Sequence, residues 1–207
     1  MAQVTLYGSP ISTYVRTARI ALAEKGVGYD LKDVWVDSPE IKQRHPFQKI
    51  PVLRHGDFEL YETFAVSRYI DEAFPGPALQ PSDAKARARM TQWISVHNSY
   101  CYPTLIGGIV LERVAPKLLN RPSDEAKIKA TLPDAHQRLD VLEKALGTTP
   151  YLAGIEPTLA DYFLYPVMFY VSVVPEGNAL LESRPGLRRW MAAIGDRKSV
   201  KDTTPSL

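Results

Sequence analysis

The chain has 207 residues, 45% of them apolar, with 25 basic and 23 acidic side chains for a net charge of +2. That is enough apolar material for the core of one large domain or two small ones, and the balanced charge gives no support for nucleic acid or an anionic membrane as the main partner. The single cysteine, Cys101, excludes an internal disulfide, a Cys-x-x-Cys redox pair and a cysteine metal cage, and it suits a reducing compartment.

Met1-Ala2-Gln3 carries no basic residue, and the apolar run after it is broken by Gly8-Ser9-Pro10, so the start does not read as a signal peptide. The longest apolar stretch, Tyr162 to Val174, falls short of a membrane span and contains Pro166. The expectation is a cytoplasmic protein with no membrane segment.

In chain order, Val4 to Tyr7 is predicted as a strand. Thr13 to Lys25 carries Val15, Ala18, Ala21 and Leu22 at helical spacing and closes at Gly26. Ser12 and Thr13 therefore stand where a loop feeds a helix N-terminus. Orphan N–H groups and the helix dipole favour negative charge there. A hydroxyl at that place either caps the helix or donates to an anion such as a thiolate, and the local sequence leaves both open.

Tyr29 to Val36 reads as a second strand, and the long crossover predicts it parallel to the first. The polar stretch from Pro39 to Phe47 has room for one short helix. Ile50 to Leu53 and Glu59 to Glu62 flank His55-Gly56-Asp57-Phe58, the pattern of a hairpin, with Pro51 confined to a strand start. Thr63 to Phe74 is a predicted helix, ended by Pro75-Gly76-Pro77. Residues 1–77 thus read β-α-β followed by β-β-α, a small mixed sheet with helices.

Residues 78–84 read as a linker, and residues 85–207 show no convincing strand. Lys85 to Leu118 is a long helical region that Pro103 and Gly107-Gly108 should kink or break. Ser123 is the predicted cap of the next helix, whose seam of Ile128, Leu132, Ala135, Leu139, Leu142 and Leu146 is the clearest amphipathic signal in the chain. Thr158 to Asp161 forms a capping-box-like start. The helix it opens, running to Val173, is apolar on nearly every side and belongs in the middle of a helical domain. Pro185 to Ile194 is a last short helix carrying Trp190, and Lys198 to Leu207 reads as a loose tail.

Four ordered stretches share a resemblance. Gly8, Ser12 and Arg16 stand four residues apart. The run Arg44 to Leu53 (RHPFQKIPVL) is similar to Asn-Pro-x-Gly-x-Val-Pro-x-Leu. Glu62-Thr63-Phe64-Ala65-Val66 with Tyr69-Ile70 is similar to Glu-Ser-x-Ala-Ile with Tyr-Leu, and Thr158-x-x-Asp161 is similar to a central-helix capping box. Together, in order and spanning essentially the whole chain, they resemble the cytosolic glutathione transferases, in particular a serine-type, theta- or phi-like bacterial member. The resemblance implies an α+β thioredoxin-like N-terminal domain (residues 1–77) and an all-α C-terminal domain (residues 85–207).

It also implies roles. Ser12 would hold the thiolate of glutathione, with Thr13 and Ser9 as neighbouring alternatives. Pro51 would be cis and would turn the Ile50 backbone towards the cysteinyl part of glutathione. Thr63 would receive the γ-glutamyl carboxylate, Glu62 the γ-glutamyl ammonium, and Lys49 a carboxylate. Ile11, Tyr14, Tyr100, Tyr102 and Ile106 would either line a second-substrate pocket or pack in the core. His45 and Gln48 depart from the family's asparagine and glycine. The implied function is conjugation of glutathione, as co-substrate, to a hydrophobic electrophile, with peroxide reduction as a side activity, in a homodimer and without a metal. The alternative is a non-catalytic dimeric assembly module on the same fold.

Overall fold

The computed structural model describes residues 3–206. The chain forms two compact units: one holds the residues up to Pro81 together with those from Asp196 onward, the other Ser82–Gly195.

The first unit contains β1 (Val4–Tyr7), α1 (Thr13–Glu24), β2 (Asp30–Lys32), α2 (Pro39–Arg44), β3 (Val52–His55), β4 (Phe58–Tyr61) and α3 (Thr63–Ala73). The sheet order is β2-β1-β3-β4, with β1 and β2 parallel and the other pairs antiparallel. This is the expected thioredoxin-like arrangement. The second strand is shorter than its apolar pattern, because its register against β1 ends at Tyr7↔Lys32, where β1 itself gives way to Gly8. Leu6, Val15, Ala18, Leu22, Val52, Leu53, Val66 and Ile70 are fully buried. Each large side chain among them contributes roughly 1.5–3 kcal/mol by leaving water.

A buried ion pair closes the unit below α1. Lys25 Nζ lies 3.1 Å from Asp71 Oδ1 and donates to the Pro77 carbonyl at 3.0 Å. Asp71 in turn accepts from Leu79 N–H at 2.8 Å and from the Gln80 amide at 3.0 Å. The first residues of the expected linker are therefore fastened to α3, and Leu79 is buried.

The second unit is helical: α4 (Ala84–Val96), a stretch of widened π-type turns (His97–Val110), α5 (Leu111–Leu118), α6 (Glu125–Leu146), α7 (Leu159–Ser172), α8 (Pro175–Glu182) and α9 (Pro185–Gly195). At Pro103, where the sequence offered a kink or a break, the helical path is not broken but its regular α-turns give way to wider ones. Pro103 has no N–H to donate, and the widened turns absorb its ring within a continuous helical path. Gly108 in that stretch lies so close to α6 that a Cβ there would come within 2.5 Å of the Thr131 methyl.

Two further expectations need correction. Asp124, not Ser123, caps α6, its carboxylate accepting from Lys127 N–H at 2.9 Å. Both residue types cap well, so their adjacency left the choice to geometry. Helix α8 is opened by Pro175, in a stretch to which the sequence pattern assigned no element. The tail is not loose: α10 (Lys198–Lys201) follows, Arg16 donates to Val200 O at 3.3 Å and Thr204 Oγ1 at 3.0 Å, and Arg197 pairs with Glu24 at 2.6 Å. Among the described residues no helix is long and apolar enough to cross a membrane.

Candidate functional site

The register of the sheet gathers the site. Tyr7 at the end of β1 pairs with Val52 at the start of β3, and Val52 pairs with Tyr61 at the end of β4. The segments just beyond these three residues are the loop to Ser12, the Ile50–Pro51 bond and the Glu62–Thr63 junction. They therefore emerge side by side at one end of the sheet.

At the first segment, Gly8 has φ +148°, and a Cβ there would meet Val15 Cγ2 at 2.4 Å. Only glycine lets the chain turn this tightly over α1. Ser12 is the N-cap of α1, and its Oγ accepts from Val15 N–H at a long 3.4 Å. Its hydrogen remains available to donate. The helix has no acidic residue in its first turn, so no side chain offsets the positive end of its dipole. Ser12 is half-buried, as are Ile11 and Tyr14, whereas Thr13 is buried.

At the second segment the Ile50–Pro51 bond is cis, as expected. Ile50 and Pro51 are buried, and Lys49 is exposed. At the third segment Glu62 precedes α3 with φ +72° and makes no side-chain cap, leaving its carboxylate largely exposed above Thr63. No acidic residue stands in the first turn of α3 either. Two helix N-termini and the Glu62 carboxylate thus lie at the same end of the sheet. That is the complement of a zwitterionic ligand with anionic groups to receive and a cation to hold.

Sequence reasoning missed how His45 ties these pieces. The ring is buried, with Nδ1 accepting from Phe47 N–H at 3.1 Å and Nε2 lying 3.9 Å from Glu62 Oε1. Burial lowers its pKa from the ordinary imidazole value, and the Glu62 charge opposes that shift. The signal available in the sequence was the departure itself, histidine in place of asparagine. Gln48, standing in place of glycine, adopts φ +51°. Gln48→Gly is expected to relieve roughly 1–2 kcal/mol of left-handed strain and to give back about half of it as chain entropy. The melting temperature should rise by about 2 °C, measured by thermal denaturation.

The residues expected around a second-substrate pocket have varied surroundings. Ile11 precedes Ser12 in the loop, and Tyr14 lies in the first turn of α1. In the helical unit, Tyr100 is exposed and lines a groove of about 300 Å³ with Val96, Cys101, Gln137, Arg138 and Val141. Tyr102 packs its ring towards His97, and Ile106 is in the core. Neither of the last two lines the groove that Tyr100 lines. Cys101 is buried, and burial pushes its thiol up to about 12, which makes it inert as a nucleophile. Among the described residues no three metal-ligating side chains come together.

Known proteins resemble this chain over nearly its whole length. Residues 6–78 match the family model "Glutathione S-transferase, N-terminal domain", and residues 125–193 match "Glutathione S-transferase, C-terminal domain". Glutathione S-transferase F10 of Arabidopsis thaliana is 32% identical over 209 residues, covering 97% of this chain and 96% of that protein. Among solved structures, glutathione transferase F7 from Populus trichocarpa superposes with a TM-score of 0.88 at 28% identity, covering 97% of each chain. Glutathione S-transferase I from maize, in complex with an atrazine glutathione conjugate, gives 0.87 at 26% identity, covering 98% of this chain and 96% of that one.

Proposed function

The chain belongs to the glutathione S-transferase family and is a glutathione transferase enzyme; from that premise we propose that it is a serine-type member, with Ser12 steadying the thiolate of glutathione at the shared end of the sheet. The observation that carries this reading is the Tyr7–Val52–Tyr61 register, which groups the Ser12 loop, Ile50 and the Glu62–Thr63 junction. In this reading the γ-glutamyl carboxylate meets the N-terminus of α3 at Thr63, and Glu62 accepts from the γ-glutamyl ammonium. The Ile50 backbone pairs with the cysteinyl unit like an added strand, and Lys49 meets the glycyl carboxylate. The conjugate-bound maize relative supports a glutathione site on this fold.

The thiolate sulfur then attacks an electrophilic carbon, the new C–S bond forms, and the leaving group departs with its electron pair. Ile11 and Tyr14, beside Ser12, are placed to face that electrophile. Reduction of an organic peroxide by two glutathiones, giving glutathione disulfide, alcohol and water, is a proposed side activity. The enzyme is proposed to work as a homodimer in the cytoplasm, with glutathione and a hydrophobic electrophile as its small-molecule partners.

Steady-state conjugation of a chlorinated nitroarene tests the reading. Saturation in glutathione, with competitive inhibition by S-methylglutathione, is the expected result. A protein that neither turns over such electrophiles nor binds S-methylglutathione would overturn it and return the module reading.

A further inference from the structure

The loop between α2 and β3 reaches the Glu62 junction through one side chain. His45 Nδ1 accepts from Phe47 N–H, so in the neutral ring the proton is on Nε2, which faces the Glu62 carboxylate at 3.9 Å. The ring also lies against Tyr61, with centroids 4.6 Å apart, and edge-on to Phe47 at 6.1 Å. One buried imidazole therefore spans both the loop that delivers Lys49 and Ile50 and the carboxylate at the start of α3.

We propose that His45 is a positioning residue of the glutathione site, and that proton uptake on its ring weakens glutathione binding by releasing the Phe47 loop and drawing Glu62 to the imidazolium. The proposal rests on the reading of Glu62 as the acceptor of the γ-glutamyl ammonium. A protonated ring donates from both nitrogens, so Nδ1 can no longer accept from Phe47 N–H. The same proton gives Glu62 a cation of its own, which competes with the ligand's ammonium for one carboxylate.

The charged and titratable groups around the ring are few. Glu62 faces it from the N-cap of α3, Tyr61 from β4 and Lys49 from its own loop. Arg44, the preceding residue, is engaged by Glu59 of β4 at 2.5 Å and lies over the Tyr7 ring of β1 at 4.4 Å. Burial and Lys49 oppose protonation, and Glu62 favours it. The sign follows. The neutral, ordered form prevails at neutral pH, and disruption sets in as pH falls below the ordinary imidazole value of about 6.5. Ligand that occupies Glu62 removes the imidazolium's partner, so binding must expel a proton from the site in that range.

S-methylglutathione has no thiol, so its binding isolates this effect from thiol ionisation. Titration calorimetry of the full chain, in two buffers of different ionisation enthalpy, reads both affinity and proton release. From pH 7.5 to 5 the wild type is expected to lose affinity by about three- to tenfold, within the limiting slope of one proton per pH unit, and to release protons on binding. His45→Asn offers an amide oxygen to Phe47 N–H but cannot titrate. It is expected to bind about two- to threefold more weakly at the upper pH, as one neutral contact is loosened, with a flat profile and no His-linked proton release. A His45→Asn profile that falls in parallel with wild type would overturn the proposal while leaving the glutathione site standing. If Glu62→Gln binds S-methylglutathione as tightly as wild type does, the placement of the ammonium is itself wrong.

Discussion

Ser12→Ala is expected to lower kcat/KM for conjugation by roughly ten- to a hundredfold at neutral pH and to move the pH–rate profile upward by one to two units. A charge-assisted hydrogen bond contributes roughly 1.5–3 kcal/mol, and each pKa unit corresponds to about 1.4 kcal/mol. A free thiol near 8.5 would then ionise at about 7 when the Ser12 hydroxyl and the α1 dipole act on it together. The loss separates from a structural effect because the capping bond to Val15 is long, at 3.4 Å. Deleting such a cap costs about 0.5–1 kcal/mol of stability, too little to unfold a domain.

Tyr7→Phe supplies the contrast. Tyr7 is a second hydroxyl residue at the same end of the sheet, buried in β1 with Arg44 at 4.4 Å and Arg54 at 5.8 Å over its ring. Its phenylalanine variant should keep its pH–rate profile. Profiles measured for both variants decide the matter. Full activity in Ser12→Ala with a shifted profile in Tyr7→Phe would transfer the thiolate role from one hydroxyl to the other.

What the residues revealed in advance follows from the range of the forces involved. Strand β1, the hairpin and α1 were legible because a short apolar run, a Gly-Asp turn and a helical apolar spacing are local signals. Ser12, Pro51 and Glu62 were legible through short motifs that resemble those of the glutathione transferases, each at a junction between elements. Their convergence was not. It depends on Val52, which pairs locally with Tyr61 across the hairpin, also pairing with Tyr7, 45 positions earlier in the chain.

The tail was misread because Lys198–Thr204 has little apolar pattern of its own. Its order comes from Arg16, buried in α1 about 184 positions earlier, which donates to Val200 and Thr204. Likewise His45 looked like a simple exchange for asparagine. Only the fold buries it between a loop and a helix start, where its two nitrogens acquire separate partners.

Asp161→Ala is expected to destabilise the helical unit by roughly 3–5 kcal/mol, the cost of stripping a buried charged acceptor from its donors. The carboxylate is fully buried. Oδ1 accepts from Leu152 N–H at 3.0 Å and Trp190 Nε1–H at 2.9 Å, and Oδ2 from Thr158 N–H at 2.8 Å and its hydroxyl at 3.2 Å. It therefore does more than complete the capping box of α7. It holds the approach loop at Leu152 and joins α7 to α9 through Trp190. Alanine leaves these donors facing an apolar interior, and each buried orphan costs about 1–3 kcal/mol. Trp190→Phe removes one donor and keeps the cap, so it should cost less than half as much. The melting temperature of Asp161→Ala should fall by about 10 °C at roughly 2–4 °C per kcal/mol, with Trp190→Phe between it and wild type. A variant that melts within a degree or two of wild type would mean that water reaches the site and satisfies the stranded donors.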